Sequence, residues 1–219
     1  IEAMLLNIDG NKTQKEFFSL SVKHKALLIG DFTLKSGKKS PYFFNIASLL
    51  EGGCLHELSA MFAHTIKDLN GEFDVIFGPA YKGIPLASAL ATKLGGLNSQ
   101  SYPVCFDRKE EKTHGEGGSL IGSVKDKRVI VVDDVLTAGT ALKNSINLVQ
   151  QEGGVVVAAA VALDREEKEG HLTIRESLEK ELHIPIKAVA SISNLLSFLE
   201  AEEGLTKEAN LIKNYLSKN

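Results

Sequence analysis

The chain has 219 residues, 43% hydrophobic and 24% charged, with a formal net charge of −3. That length suffices for one α/β domain with a full core and a small appendage. The balance is ordinary for a globular protein and gives no global pull toward nucleic acid or an anionic membrane. No apolar run approaches the ~20 residues of a membrane span. No secretory pattern is visible either, so a cytoplasmic protein with no membrane or nucleic-acid partner is expected. Ile1-Glu2-Ala3 stand ahead of Met4 and read as an addition to the natural start, which leaves 4–219 as a single domain. The two cysteines, Cys54 and Cys105, make no disulfide framework. Cys105 reads as a core residue. Cys54 follows Gly52-Gly53 at a helix start, where packing is the simpler reading and a low-pKa thiol the alternative.

In chain order, Phe17, Phe18, Leu20, Val22, Ala26, Leu27 and Ile29 predict an amphipathic helix over 13–29, closed by Gly30. Short strands over 31–35 and 42–46 follow, joined by the turn-rich Ser36-Gly37-Lys38-Lys39-Ser40-Pro41. A helix is predicted over 54–69, a strand over 73–78, a helix over 84–94 and a strand over 101–106. Beyond them come a strand at 129–132, a helix at 140–151 and a strand at 155–163. Helices over 172–182, 191–202 and 206–217 and a strand over 186–190 complete the chain. Strands alternating with helices from 54 to 190 predict an α/β fold, a mostly parallel central sheet flanked by helices with right-handed crossovers. Residues 4–50 would form a small N-terminal hood over the sheet's carboxyl edge, where such sheets bind ligands.

The stretch from Arg128 to Ala141 carries the most chemistry. The β-branched run Val129 to Val132 reads as a strand buried on both faces, and it ends in the adjacent carboxylates Asp133 and Asp134. Val135 and Leu136 lead into the small, hydroxylated loop Thr137-Ala138-Gly139-Thr140, and a helix begins there. Backbone N–H groups at a helix start cradle a phosphate, and carboxylates at a strand end accept hydrogen bonds from sugar hydroxyls. The order therefore suits a phosphorylated sugar. Gly37-Lys38 lacks the upstream glycine of a Walker loop. Gly115-Glu116-Gly117-Gly118 has Leu120 where a dinucleotide fingerprint needs glycine. The polar loop 108–118 holds Arg108, Lys109, Lys112 and His114 among carboxylates and glycines. On composition, a lid over a polyanion and a solvated surface loop stay equally open.

The Asp133–Ala141 stretch resembles the 5-phosphoribosyl 1-diphosphate (PRPP) motif of type I phosphoribosyltransferases. Four segments together resemble the orotate phosphoribosyltransferases: Phe32–Asn45, Phe77–Leu86, Arg108–Gly118 and 133–141. The resemblance implies the type I phosphoribosyltransferase fold and transfer of ribose 5-phosphate from PRPP to N1 of orotate, with Mg²⁺ accompanying the pyrophosphate. It implies that Asp133 and Asp134 hold the ribose hydroxyls, that Val135 to Ala141 bind the 5-phosphate region, and that Tyr81 and Lys82 meet the pyrophosphate across a cis Ala80–Tyr81 peptide. Lys35, Phe43, Phe44 and Thr137 would lie beside orotate, with Lys35 also in reach of PRPP. Arg165 would pair with the orotate carboxylate, since a planar guanidinium donates two parallel hydrogen bonds. Without the resemblance, an ion pair within Asp164-Arg165-Glu166-Glu167 is the simpler reading of that arginine.

Arg108, Lys109, Lys112 and His114 would act on the pyrophosphate from loop 108–118, shared across the subunits of a homodimer. No protein residue is expected to ligate the metal directly, because Mg²⁺ keeps substrate oxygens and water. Asp107, before Arg108, is a small departure from the family's usual residue. No fused decarboxylase domain is expected. Two other classes compete: a PRPP-sensing regulator, which could dispense with the loop cations, and a purine transferase, which would not need a cation at Lys35 or Arg165.

Overall fold

The alanine- and valine-rich runs of the chain become the centre of a six-stranded sheet. The computed structural model describes residues 10–33, 37–108 and 119–217. Helix α1 (Gly10–Lys23) is followed by the hairpin β1 (Leu27–Thr33) and β2 (Lys39–Phe44), then α2 (Ala47–Glu51) and α3 (Leu55–Thr65). The sheet region runs β3 (Val75–Phe77), α4 (Gly83–Asn98), β4 (Val104–Asp107), β5 (Leu120–Ile121), β6 (Arg128–Leu136), α5 (Thr140–Gln151) and β7 (Val155–Asp164). A small hairpin, β8 (Lys168–Glu169) and β9 (Leu172–Thr173), precedes α6 (Ile174–Leu182), β10 (Ile186–Ser191), α7 (Ile192–Ala201) and α8 (Thr206–Leu216).

The strand order is β10-β7-β6-β3-β4-β5. Neighbours pair in parallel except β5, which runs antiparallel to β4. Alternate residues of each strand enter opposite cores, as a pleat with a side-chain period of two requires. Ile76, Ile130, Val132, Ala158, Ala160 and Ala162 join one core, with α1, α3, α4, α7 and α8. Val75, Phe77, Val129, Val131, Ala159 and Val161 join the other, with α5 and α6. Both faces are covered, which is why these strands read as continuous apolar runs rather than alternating ones. Among the described residues no helix is long and apolar enough to cross a membrane.

The fold class stands as expected; several boundaries do not. The first helix ends at Lys23, and Leu27 and Ile29 belong to β1, paired with Phe44 and Tyr42. Lys25 turns the chain at φ 56°, and Gly30 lies inside the strand instead of closing a helix. Cross-strand partners outweigh the helical spacing there. The helix expected over 54–69 stops at Thr65, with a 3₁₀ turn at Lys67–Leu69. The strand expected at 129–132 continues to Leu136, because β7 is long enough to pair with Asp133, Val135 and Leu136. Helix α2 and strands β5, β8 and β9 are short additions that no periodic pattern announced. Both cysteines are buried, and burial pushes the Cys54 thiol above its ordinary value and Cys105 up to about 11, so each packs as a small apolar residue.

Candidate active site

The parallel strands β3, β4, β6 and β7 end at one edge, and the segments after them carry the predicted site residues. The chain leaves β3 through α4 toward β4 on one side, whereas it leaves β6 through α5 toward β7 on the other. Strand order therefore reverses between β3 and β6, which opens the crevice where doubly wound sheets take ligands. Lys82, after β3, reaches across that crevice to Asp134 of β6, with Nζ 3.1 Å from Oδ2.

The two carboxylates are fixed by main chain. The N–H of Asp134 donates to Asp133 Oδ1 at 2.8 Å, and the N–H of Val135 donates to Asp134 Oδ1 at 2.9 Å. Burial, and then the charge of Asp134, push Asp133 up to about 7, far above an ordinary carboxylate. Hydrogen-bond donors on a ligand would favour its ionised form. Next to it, Thr137, Ala138 and Thr140 are exposed, and Gly139 starts α5 at φ 79°. A side chain at Gly139 would be strained in that conformation and would meet Leu178 Cδ1 at 2.8 Å. An exposed loop running into a helix start is the local form that an anion cradle takes.

The opposite wall is the turn Gly78–Lys82. Its Ala80–Tyr81 peptide is cis, as the resemblance implied. Tyr81 is 72% exposed and available to a ligand. The N–H of Ala80 donates to Asp107 Oδ1. Asp107, a departure with no assigned consequence at first reading, thus ties the turn to the foot of loop 108–118. The turn is seated by close backbone contact. A Cβ on Gly83 would meet Pro79 Cδ at 2.5 Å and Val132 O at 2.9 Å, and one on Gly78 would meet Gly83 O at 2.3 Å. Gly83→Ala should therefore cost about 1–3 kcal/mol of unfolding free energy by overpacking. Gly96→Ala, in the same helix with nothing within 4 Å, should be neutral or stabilising. Urea melts of the two variants check this; equal midpoints would mean that the turn relaxes freely.

Loop 108–118 rises from a stem in which Phe106 pairs with Ile121 and Asp107 with Leu120. Arg108 donates its N–H to Ser119 O at 2.8 Å, closing the loop's base. Lys109, Lys112 and His114 lie outside the described residues, as does Lys35. The remaining members of the predicted acceptor site divide between two faces of the hairpin. Phe43 is exposed, and its ring lies 5.9 Å from Phe32. Phe44 is buried against Phe17, so what it offers a ligand is main chain.

Arg165 is only 5% exposed. Its N–H donates to Leu136 O at 3.1 Å, which seats it beside the start of the Thr137–Thr140 loop. Its guanidinium lies 4.4 Å from the centre of the Tyr42 ring, with Nε 3.3 Å from Glu167 Oε1 and Nη2 3.3 Å from Ser40 Oγ. The ion pair foreseen within residues 164–167 exists, but it is buried and uses Glu167. Asp164 pairs instead with Arg175, at 3.0 Å. Tyr215 Oη donates to Glu167 Oε1 at 2.6 Å, and Lys38 Nζ donates to Oε2. Burial works to raise the Glu167 carboxyl, yet these hydrogen bonds carry it below its ordinary value. Burial pushes the Tyr42 phenol well above its ordinary value. Ser40, Tyr42 and Tyr215 were not found from sequence, whereas Glu167 lay within the run in which an ion pair was expected.

Among the described residues, no group of three or more His, Cys, Asp or Glu could hold a metal ion. Two adjacent carboxylates beside a lysine do fit a hard cation that arrives on diphosphate oxygens and keeps its waters.

Residues 49–185 match the phosphoribosyl transferase domain family model. The orotate phosphoribosyltransferase of Cellvibrio japonicus is 41% identical over 205 residues, covering 93% of this chain and 95% of that protein. That of Saccharophagus degradans is 43% identical over 190 residues, covering 86% and 89%. A 1.9 Å crystal structure of orotate phosphoribosyltransferase from Francisella tularensis superposes with a TM-score of 0.79 at 32% identity, covering 93% of this chain and 98% of that one.

Proposed function

The chain belongs to the orotate phosphoribosyltransferases, and from that premise we propose that its sheet-edge crevice transfers ribose 5-phosphate from PRPP to N1 of orotate. The products are orotidine 5′-monophosphate and pyrophosphate, and the step belongs to pyrimidine biosynthesis in the cytoplasm. The observation that carries this assignment is the meeting of the Asp133–Asp134 pair, the Thr137–Thr140 cradle and the Tyr81–Lys82 turn where strand order reverses.

In this reading the exposed main chain and hydroxyls of Thr137 to Thr140 hold the 5-phosphate. Asp133 and Asp134 accept the ribose hydroxyls, and Tyr81 and Lys82 face the pyrophosphate. Lys82 must then exchange its contact with Asp134 for phosphate oxygens. The bond to pyrophosphate breaks as the anomeric carbon gains oxocarbenium character, so negative charge grows on the leaving group. Donors preorganised at that charge are the largest catalytic contribution available. Lys109, Lys112, Arg108 and His114 supply them from loop 108–118, which reaches the neighbouring site of a homodimer. Mg²⁺, held mainly by PRPP and water, would neutralise phosphate charge, and Asp133 and Asp134 are the carboxylates that would help to hold its waters. Lys35, Phe43, Thr137 and the main chain of Phe44 border orotate, and Arg165 takes its carboxylate. The whole of 4–219 acts as one domain, with 4–50 as its hood.

Arg165→Ala should raise the KM for orotate roughly 10–100-fold, the worth of a charge-assisted hydrogen-bond pair, and move the KM for PRPP by less than about twofold. Glu167 would keep Lys38 and Tyr215, so the variant should fold. Steady-state kinetics with each substrate varied in turn decides the matter. Equal losses for both substrates would assign Arg165 a structural role.

A further inference from the structure

Glu167 is a meeting point of three side chains that the catalytic chemistry above does not use. We infer that Glu167 is the positioning residue of the acceptor pocket, setting the Arg165 guanidinium in the geometry that receives the acceptor. The inference rests on the assignment of Arg165 to the orotate carboxylate.

Three donors from separate parts of the chain converge on this carboxylate. Lys38, just before β2, binds Oε2, while Arg165 Nε and Tyr215 Oη, from α8, share Oε1 at 3.3 and 2.6 Å. Glu167 is itself fixed, since its carbonyl accepts the N–H of Ile174 at 2.8 Å. Tyr215 is held edge-on to Tyr42, with ring centres 5.8 Å apart, so α8 and the hairpin are locked together beside the same group. Of the guanidinium nitrogens, Nε bonds Glu167, sharing Oε1 with Tyr215, while Nη2 is steadied by Ser40 and Tyr215 also meets the arginine directly. A carboxylate gripping both nitrogens would compete with that of orotate.

The test uses full-length Glu167→Gln, Tyr215→Phe, Arg165→Ala and the Arg165→Ala/Glu167→Gln double variant, with KM for orotate, KM for PRPP, kcat and Tm measured for each. Glu167→Gln should raise the orotate KM roughly tenfold, and Tyr215→Phe should raise it less, with PRPP KM changed by less than about twofold. The double variant should be no worse than Arg165→Ala alone, because Glu167 acts through the arginine. A merely structural residue would lower Tm and add its loss to that of Arg165→Ala. An orotate KM that falls in Glu167→Gln, or stays put in both Glu167→Gln and Tyr215→Phe, overturns the inference. Should Glu167→Gln not fold, Glu167→Asp, which keeps the charge and withdraws it from Nε, takes its place with the same expected and contrary results. An unchanged orotate KM in Arg165→Ala would instead bring down the acceptor-site assignment itself.

Discussion

Replacing Asp133 and Asp134 together by asparagine is expected to weaken PRPP binding by roughly 10²–10⁴-fold while leaving the chain folded. Hydrogen bonds to a charged acceptor contribute about 1.5–3 kcal/mol each, and every 1.4 kcal/mol is tenfold in affinity, so losing two removes most of the grip on the ribose. Folding should survive because asparagine keeps the oxygen that accepts the N–H of Asp134 or Val135. The pH argument has the same sign. Asp133 sits at about 7 in the folded chain, above its ordinary 3.8. The folded state therefore holds a proton that the unfolded state releases at lower pH. That contribution to stability is complete below about 4 and lost as pH rises through about 7. Above pH 7 the native chain bears the cost of a buried carboxylate, which asparagine removes. The Tm of the variant at pH 8 should thus be no lower than that of the parent, while calorimetric titration with PRPP loses its signal. Undiminished PRPP affinity would move the sugar site elsewhere.

Lys112→Ala is expected to lower kcat by roughly 10²–10³, the usual consequence of deleting one donor aimed at developing negative charge. Its effect on stability should be small. The loop springs from a two-residue stem, and its eleven residues contain no apolar anchor to bury. The substitution also tests assembly. If the loop serves the neighbouring subunit, mixing Lys112→Ala with the Asp133→Asn/Asp134→Asn variant should restore activity, because a mixed dimer pairs an intact loop with an intact carboxylate site. Two inactive proteins that stay inactive after subunit exchange would confine each loop to its own chain. Wild-type turnover in Lys112→Ala would remove that lysine from the chemistry.

The parts of this molecule that were legible in its sequence are those fixed over short spans. Val129 to Thr140 announce a doubly buried strand, a carboxylate pair and a helix start within a dozen residues, and all three lie where the pattern puts them. The strand's end was misjudged, because acidic residues read as a turn until a long neighbour such as β7 offers them hydrogen bonds. Leu27 and Ile29 misled in the same way: their helical spacing is real, and only pairing with Phe44 and Tyr42 makes them strand. The surroundings of Arg165 were illegible for a different reason. Ser40 and Tyr215 are 125 and 50 positions away, and no local rule connects them to an arginine in a run of acids. The expected ion pair exists, and it is buried rather than on the surface. Asp107 lacked any signal at all, since its partner is a main-chain N–H on another strand's loop.

The regulator and purine-transferase alternatives differ from the favoured one in what the protein consumes. Incubation with PRPP, Mg²⁺ and orotate, followed by the loss of orotate absorbance, tests that difference most directly, with uracil and hypoxanthine in parallel. Rapid, PRPP-dependent loss of orotate with release of pyrophosphate, and no turnover of either control base, is the expected result. Turnover of hypoxanthine in preference to orotate, or PRPP bound without any base consumed, would contradict it.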